Sequence, residues 1–300
     1  EQFSVSRDAE FTERSAPLRK TFASRLTMFS SHTPAATSRP TMIAHFSLRL
    51  IFGMSLMWCL MPRGQVTSGF FRIQMLVVLG LSVLSALTLG MFTGDSDEQL
   101  PALLNMQVTT GLCVVMAVAA FFGSVMWTLE RRKAGGWFAA IIAAVSLAVL
   151  LLSFPRIGSF ADASEWLRML SDVSSAVILG GAMTAMLLGH WYLTAPTMSI
   201  DPLKQLTCYF GGAAMLRLLV SAIGLAMAWG SIGDSTHSMW LWLRWTAGIA
   251  GPLAVAFMVW RILKYRNTQA ATGVLFVGVI VTFIGEMTGS LLYQALWKPL

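Results

Sequence analysis

Three hundred residues would fill about two soluble domains, but 56% of them are apolar and only 12% charged, where soluble domains carry about 25% charge. With a mean hydropathy of +0.67 the chain cannot clothe itself in polar surface, which argues against a soluble enzyme, a disordered protein and a secreted disulfide scaffold. The net charge of +7 fits Lys and Arg on the cytoplasmic flanks of membrane helices; no basic patch is interleaved with exposed aromatics, so no nucleic-acid role is assigned.

In chain order, residues 1–41 come first, a Ser- and Thr-rich basic stretch with Arg7, Arg14, Arg19, Lys20, Arg25 and Arg39 and no long apolar run. It reads as a disordered tail or as an upstream extension ahead of a start at Met28 or Met42. A transit peptide fits less well, because Asp8, Glu10 and Glu13 are acidic. The remainder, 42–300, reads as one transmembrane domain. A span needs about 20 mainly apolar residues, and eight stretches qualify: 43–62, 70–92, 103–128, 136–154, 172–193, 206–229, 239–262 and 271–296. The expected fold is all-α, a polytopic integral membrane helical bundle, since barrel strands are short and alternate.

The loops after helices 1, 3, 5 and 7 gather Arg63, Arg72, Arg131, Arg132, Lys133, Lys204, Arg261, Lys264 and Arg266. The opposite loops hold Asp95, Asp97, Glu98, Asp162, Glu165, Asp172 and Asp234. The basic set should be cytoplasmic and both termini outside. The basic tail conflicts with export, and a start at Met42 removes the conflict. Asp162–Glu165 has the form of a capping box, opening either a short interfacial helix or an early helix 5. Trp137, Trp191, Tyr192, Trp240, Trp242, Trp245 and Trp297 fall near expected interfaces, as an aromatic belt does. Trp127 and Trp260 occupy matching places before basic loops in a faint four-plus-four division. Gly180-Gly181-Ala182 and Gly211-Gly212-Ala213-Ala214 suit close helix packing in lipid.

Charges inside spans mark functional sites or structural pairs. Arg49, Arg217 and Glu286 are such charges. Counted along their helices, Arg217 lies roughly 16 Å and Glu286 roughly 22 Å from the inner side, with Arg49 roughly 9 Å below the outer one. The three form either an ion pair that fixes helix order or an outward polar pocket for a quinone head group, an ion or a proton. Asn105 and Gln107 either line that pocket or sit at the interface. His190, in Gly189-His190-Trp191-Tyr192-Leu193-Thr194-Ala195-Pro196, either favours the negative end of helix 5 or handles protons beside a head group.

His45 is expected near the outer surface, His190 near the inner one, His237 in an outer loop and His32 in the tail. No two share a depth, so a bis-histidine haem is disfavoured. Cys59, Cys113 and Cys208 form no C-x-x-C pair and read as buried thiols, so no metal site is assigned.

The stretch Gly285-Glu286-Met287-Thr288-Gly289-Ser290-Leu291-Leu292-Tyr293 resembles the last helix in the membrane anchor subunits of dimethyl-sulfoxide-reductase-type oxidoreductases. Glu286, Gly289 and Tyr293 match, whereas Ser290 stands where an arginine is usual. The likeness implies eight helices, both termini outside, no haem, and electron passage between quinol and an iron–sulfur subunit. The expected function is therefore a quinone-interacting, electron-transfer-associated membrane subunit, not catalytic alone, in a bacterial cytoplasmic (inner) membrane. A transporter for a small solute or for protons, which Gly251-Pro252 would serve by breaking helix 7, and a non-catalytic scaffold or assembly factor remain the alternatives.

Overall fold

A lipid environment offers no partners to backbone N–H and C=O groups, so a spanning chain closes its hydrogen bonds within helices. The computed structural model has that form. It describes residues 38–90, 100–152, 163–195, 198–228 and 235–296, all helix or short connection. The tail over 1–37, Asp95, Asp97, Glu98, Pro155, Asp162, Pro196, Asp234 and Trp297 lie outside the described residues, as do the side chains of Asn105 and Glu165. The chain divides into the units Glu1–Thr41 and Met42–Leu300. Of the first, only the opening turn of a helix, 38–41, is described.

The helices are α1 (Ser38–Leu60), α2 (Ser68–Gly90), α3 (Leu100–Thr128), α4 (Arg132–Leu152), α5 (Ala163–Thr194) and α6 (Asp201–Ala228), then a composite α7, and α8 (Thr268–Leu296). α7 runs as an α-helix over Ser235–Leu243, a π-helix over Arg244–Ala250 and an α-helix over Gly251–Lys264. Eight of these helices are long and apolar enough to cross a membrane. They make the protein a multi-pass membrane protein in contact with lipid.

Two boundaries differ from expectation in ways that matter. α5 is 32 residues long and begins at Ala163 instead of 172, so Trp166 and Leu167 open this helix and do not form a separate one. α6 begins at Asp201 instead of 206. Pro202 takes an early helical position, where its missing N–H costs nothing.

α5 is the central helix. Of its most apolar stretch 72% is buried, against 61% for α1 and 33–39% for the other six. α5 packs on α6 and α8, α7 packs on both, and α2, α3 and α4 pack in series. α1 meets α5 at Gly53 and Gly180, where a Cβ on either would run into the other helix's backbone. Small residues thus bring two backbones together, as helix packing in lipid requires. Gly212, by contrast, faces open space.

The outward faces are apolar. Val114, Val115, Val118, Phe121 and Phe122 of α3 are all exposed, as a lipid-facing side demands. Inside, several hydroxyls satisfy themselves on their own helices: Ser146 donates to Ile142 O at 2.7 Å, Thr207 to Leu203 O at 2.8 Å and Thr282 to Gly278 O at 2.7 Å, whereas the buried Ser82 and Thr184 hydroxyls have no hydrogen-bond partner. Of the three thiols only Cys113 is buried; Cys208 is exposed on α6, contrary to expectation. Trp127 and Trp260 do not match in environment. Trp127 is buried and stacked on Phe71, with ring centroids 4.3 Å apart, whereas Trp260 is exposed with Lys264 Nζ 3.6 Å above its ring.

Candidate functional site

The site is built around Glu286 of α8, which is 1% exposed. Arg217 of α6 meets it with two donors, Nε to Oε1 at 2.9 Å and Nη2 to Oε2 at 3.0 Å. Arg244 of α7 donates from Nη1 to the same Oε1 at 2.8 Å and to Gly285 O at 2.9 Å. Ser175 of α5 donates to Oε2 at 2.6 Å. Both carboxylate oxygens are therefore occupied. Such bidentate, charge-assisted bonds are the strong ones in a medium without water.

The two guanidiniums are anchored beyond the carboxylate. Arg217 Nη1 donates to Ser171 Oγ at 2.8 Å and to its carbonyl at 3.1 Å, and lies 3.3 Å from Ser174 Oγ. Arg244 Nη2 donates to Ser221 Oγ at 3.3 Å. Its Nε is buried without a hydrogen-bond partner. Arg217 is 3% exposed and Arg244 is fully buried. Two cations thus enclose one carboxylate, leaving the buried trio with one excess positive charge.

Local sequence explains the arrangement. Arg244 opens the π-helical stretch, which runs directly into Gly251 and Pro252. Pro252 has no N–H and its ring disturbs the preceding turn. The wider π turn, closed by Gly251 N–H on Thr246 O, accommodates it, as such bulges do in otherwise regular helices. Gly251-Pro252 therefore interrupts the helix with a bulge, without a break in the chain's helical course. On α8, Gly285 and Gly248 of α7 approach so closely that a Cβ on either would meet the other's backbone. A Cβ at Gly289 would lie 3.2 Å from the Arg244 guanidinium. The Gly285-Glu286-Gly289 pattern thus makes room for a neighbouring backbone and for an arginine.

Above this trio lies a second, less buried pair. Arg49 of α1 forms an ion pair with Asp172 of α5, each side chain 15% exposed. Arg49 Nη1 also donates to Ser290 Oγ at 3.3 Å, and Ser290 donates to Glu286 O at 2.9 Å. Ser290, which stands where the resembling stretch usually has an arginine, thus links Arg49 to the Glu286 backbone of α8. His45, one turn before Arg49 on α1, keeps a buried Nδ1 without a hydrogen-bond partner. Arg168 of α5 sits over the Tyr293 ring at 5.4 Å.

Of the expected residues, Arg217 and Glu286 are brought into direct contact, and Arg49 is joined to them through Ser290. Their contact is closer than the depths read from sequence implied, because α6 starts earlier. Counted from Asp201, Arg217 is about 24 Å along, level with Glu286 at about 27 Å from Thr268. His190 takes no part: it is exposed on α5, edge-on to Phe276 at 6.2 Å. Gln107 is exposed on α3. His237 lies in the first turns of α7, not in a loop, with Trp240 at 6.3 Å. Among the described residues no group of three or more His, Cys, Asp or Glu is placed to hold a metal ion.

Arg244 and Asp172 are the functional candidates that sequence reading missed. Arg244 lies inside the expected seventh span, about as far from its outer start as Arg49 is from that of the first. Asp172 stands at the expected boundary of helix 5, among the acids of the outer loops. The Ser171-x-x-Ser174-Ser175 spacing, which lines one helix face, was the remaining signal. No family model, curated protein or solved structure matches the chain.

Proposed function

We propose that this multi-pass membrane protein is a quinone-interacting, electron-transfer-associated subunit, with its head-group site at the Arg49–Asp172 end of the polar column. The observation that carries the reading is the charge of the trio beneath. Two guanidiniums face one carboxylate in a buried setting, and a buried excess positive charge favours an anionic or strongly polar occupant nearby. Arg49, Asp172 and the unpartnered Nδ1 of His45 supply the donors and acceptors that a quinol or quinone oxygen needs. Redox centres would belong to a partner subunit of the iron–sulfur type, and the protein would not be catalytic alone. A bacterial cytoplasmic membrane with both termini outside follows from the same resemblance and from the positive-inside asymmetry.

One observation favours the scaffold reading: every oxygen of Glu286 already has a partner within the protein. The transporter reading draws on the interrupted α7, but a matching interruption in the other half is absent among the described residues. The deciding test is binding of a quinone analogue to the detergent-purified full chain, with an optical spectrum of the same sample. The expected result is saturable binding that Glu286→Gln and Arg49→Gln both abolish. A well-folded wild type that binds none of the analogue contradicts the proposal for the isolated subunit.

A further inference from the structure

A second concentration of positive charge lies at the opposite end of the helices and takes no part in the Glu286 network. Arg63, in the short turn Arg63–Gln65 between α1 and α2, meets Arg132 and Lys133 at the start of α4. They line a cavity of about 470 Å³ together with Gly136, Trp137 and Ala140. A neighbouring cavity of about 390 Å³ shares Gly64 and Arg132 in its lining. No lining residue of either is acidic. Among the described residues, none of the salt bridges involves Arg63, Arg132 or Lys133.

The cavity is held in shape. Arg132 Nη1 donates to Gly64 O at 3.1 Å and to Arg63 O at 3.4 Å. The Arg63 guanidinium points Nη1 at Gly136, into the space a Cβ there would occupy. Below the three cations the lining turns apolar. Trp137 is 72% exposed, and Trp137 and Ala140 both belong to the membrane-crossing stretch Arg132–Leu152. One wall is thus cationic and the next is lipid-facing.

We infer that this cavity binds the phosphodiester head group of an anionic glycerophospholipid, with Arg63, Arg132 and Lys133 around the phosphate and an acyl chain along Trp137 and Ala140. A basic pocket at the membrane surface is the arrangement that selects such head groups. Interfacial Trp prefers the head-group level. A free phosphate ion would use the cationic wall alone, which leaves the apolar half without a role. The positive-inside asymmetry assigns the site to the cytoplasmic leaflet. Binding here is independent of what the Glu286 network holds.

The test is native mass spectrometry of the delipidated full chain, titrated with dioleoyl phosphatidylglycerol, with dioleoyl phosphatidylcholine, or with phosphatidylglycerol in the presence of inorganic phosphate. Phosphatidylglycerol is expected to bind at least tenfold more tightly than phosphatidylcholine and to resist millimolar phosphate. Arg63→Gln with Lys133→Gln should erase the preference, while Arg261→Gln with Lys264→Gln should keep it within twofold. Gly136→Ala changes no charge but displaces the Arg63 guanidinium, and should weaken phosphatidylglycerol at least threefold even if the double variant fails to fold. Equal affinity for the two lipids, or Arg63/Lys133 and Gly136 variants that both bind as wild type does, overturns the proposal. Displacement of the lipid by millimolar phosphate also overturns it, in favour of a soluble-anion site.

Discussion

The same side chain, arginine, does opposite work at the two ends of this bundle. Arg217 and Arg244 are enclosed, share one carboxylate and are tied to serines on two helices. Arg63 and Arg132 border open cavities and have no ion-pair partner among the described residues. Burial decides the difference. A guanidinium removed from water must be paired internally, and removing its partner is then costly. A guanidinium at the rim keeps its hydration and remains available to a ligand. A charge in a membrane chain therefore has to be read from its surroundings, not from its residue type.

This contrast can be broken most sharply at Glu286. Glu286→Ala leaves two buried arginines unpaired, and an expected loss of about 3–5 kcal/mol follows, read as detergent or thermal unfolding of the purified protein. Arg63→Gln, at the rim, should change stability by no more than about 0.5 kcal/mol. Equal effects would erase the distinction. Next in size is the packing that brings the trio together. Gly285→Ala forces a Cβ into the Gly248 backbone, and overpacking of that kind costs about 1–3 kcal/mol. Gly212→Ala, in open space, should cost nothing measurable in the same unfolding assay. The smallest effect concerns Glu130 and Arg266, which close α3 and α7 with φ near 56°. The left-handed region costs a non-glycine residue about 1 kcal/mol, so Arg266→Gly should raise stability by up to about that amount in the same assay.

Much of this architecture was legible before any coordinates. Eight apolar stretches of spanning length, bounded by Arg, Lys, Gly and Pro, dictate eight helices whatever their order in space. The pairing of Arg217 with Glu286 was also within reach, because isolated charges at similar depth in lipid seek each other. What stayed hidden depended on helix ends. Asp172 looked like a loop acid until α5 proved to start at Ala163. Arg244 sat among Trp242 and Trp245 at the margin of its span, where a charge ordinarily faces the interface. Only the π turn ahead of Pro252 and the contact of Gly248 with Gly285 bring its guanidinium inward. His190, the most distinctive residue of its stretch, lies apart from the Glu286 network because its face of α5 is exposed, edge-on to Phe276. Local composition does not say which side of a helix meets the core.

The measurement that bears most directly on the buried network replaces it whole. Arg217→Met, Arg244→Met and Glu286→Met combined remove every charge of the trio while keeping side-chain volume. Replacing a complete buried ion cluster with apolar groups is often neutral or stabilising by about 1–4 kcal/mol, so a network kept for binding predicts a triple variant at least as stable as wild type that no longer binds the quinone analogue. A triple variant as unstable as Glu286→Ala, or one that binds the analogue as well as wild type, contradicts that role.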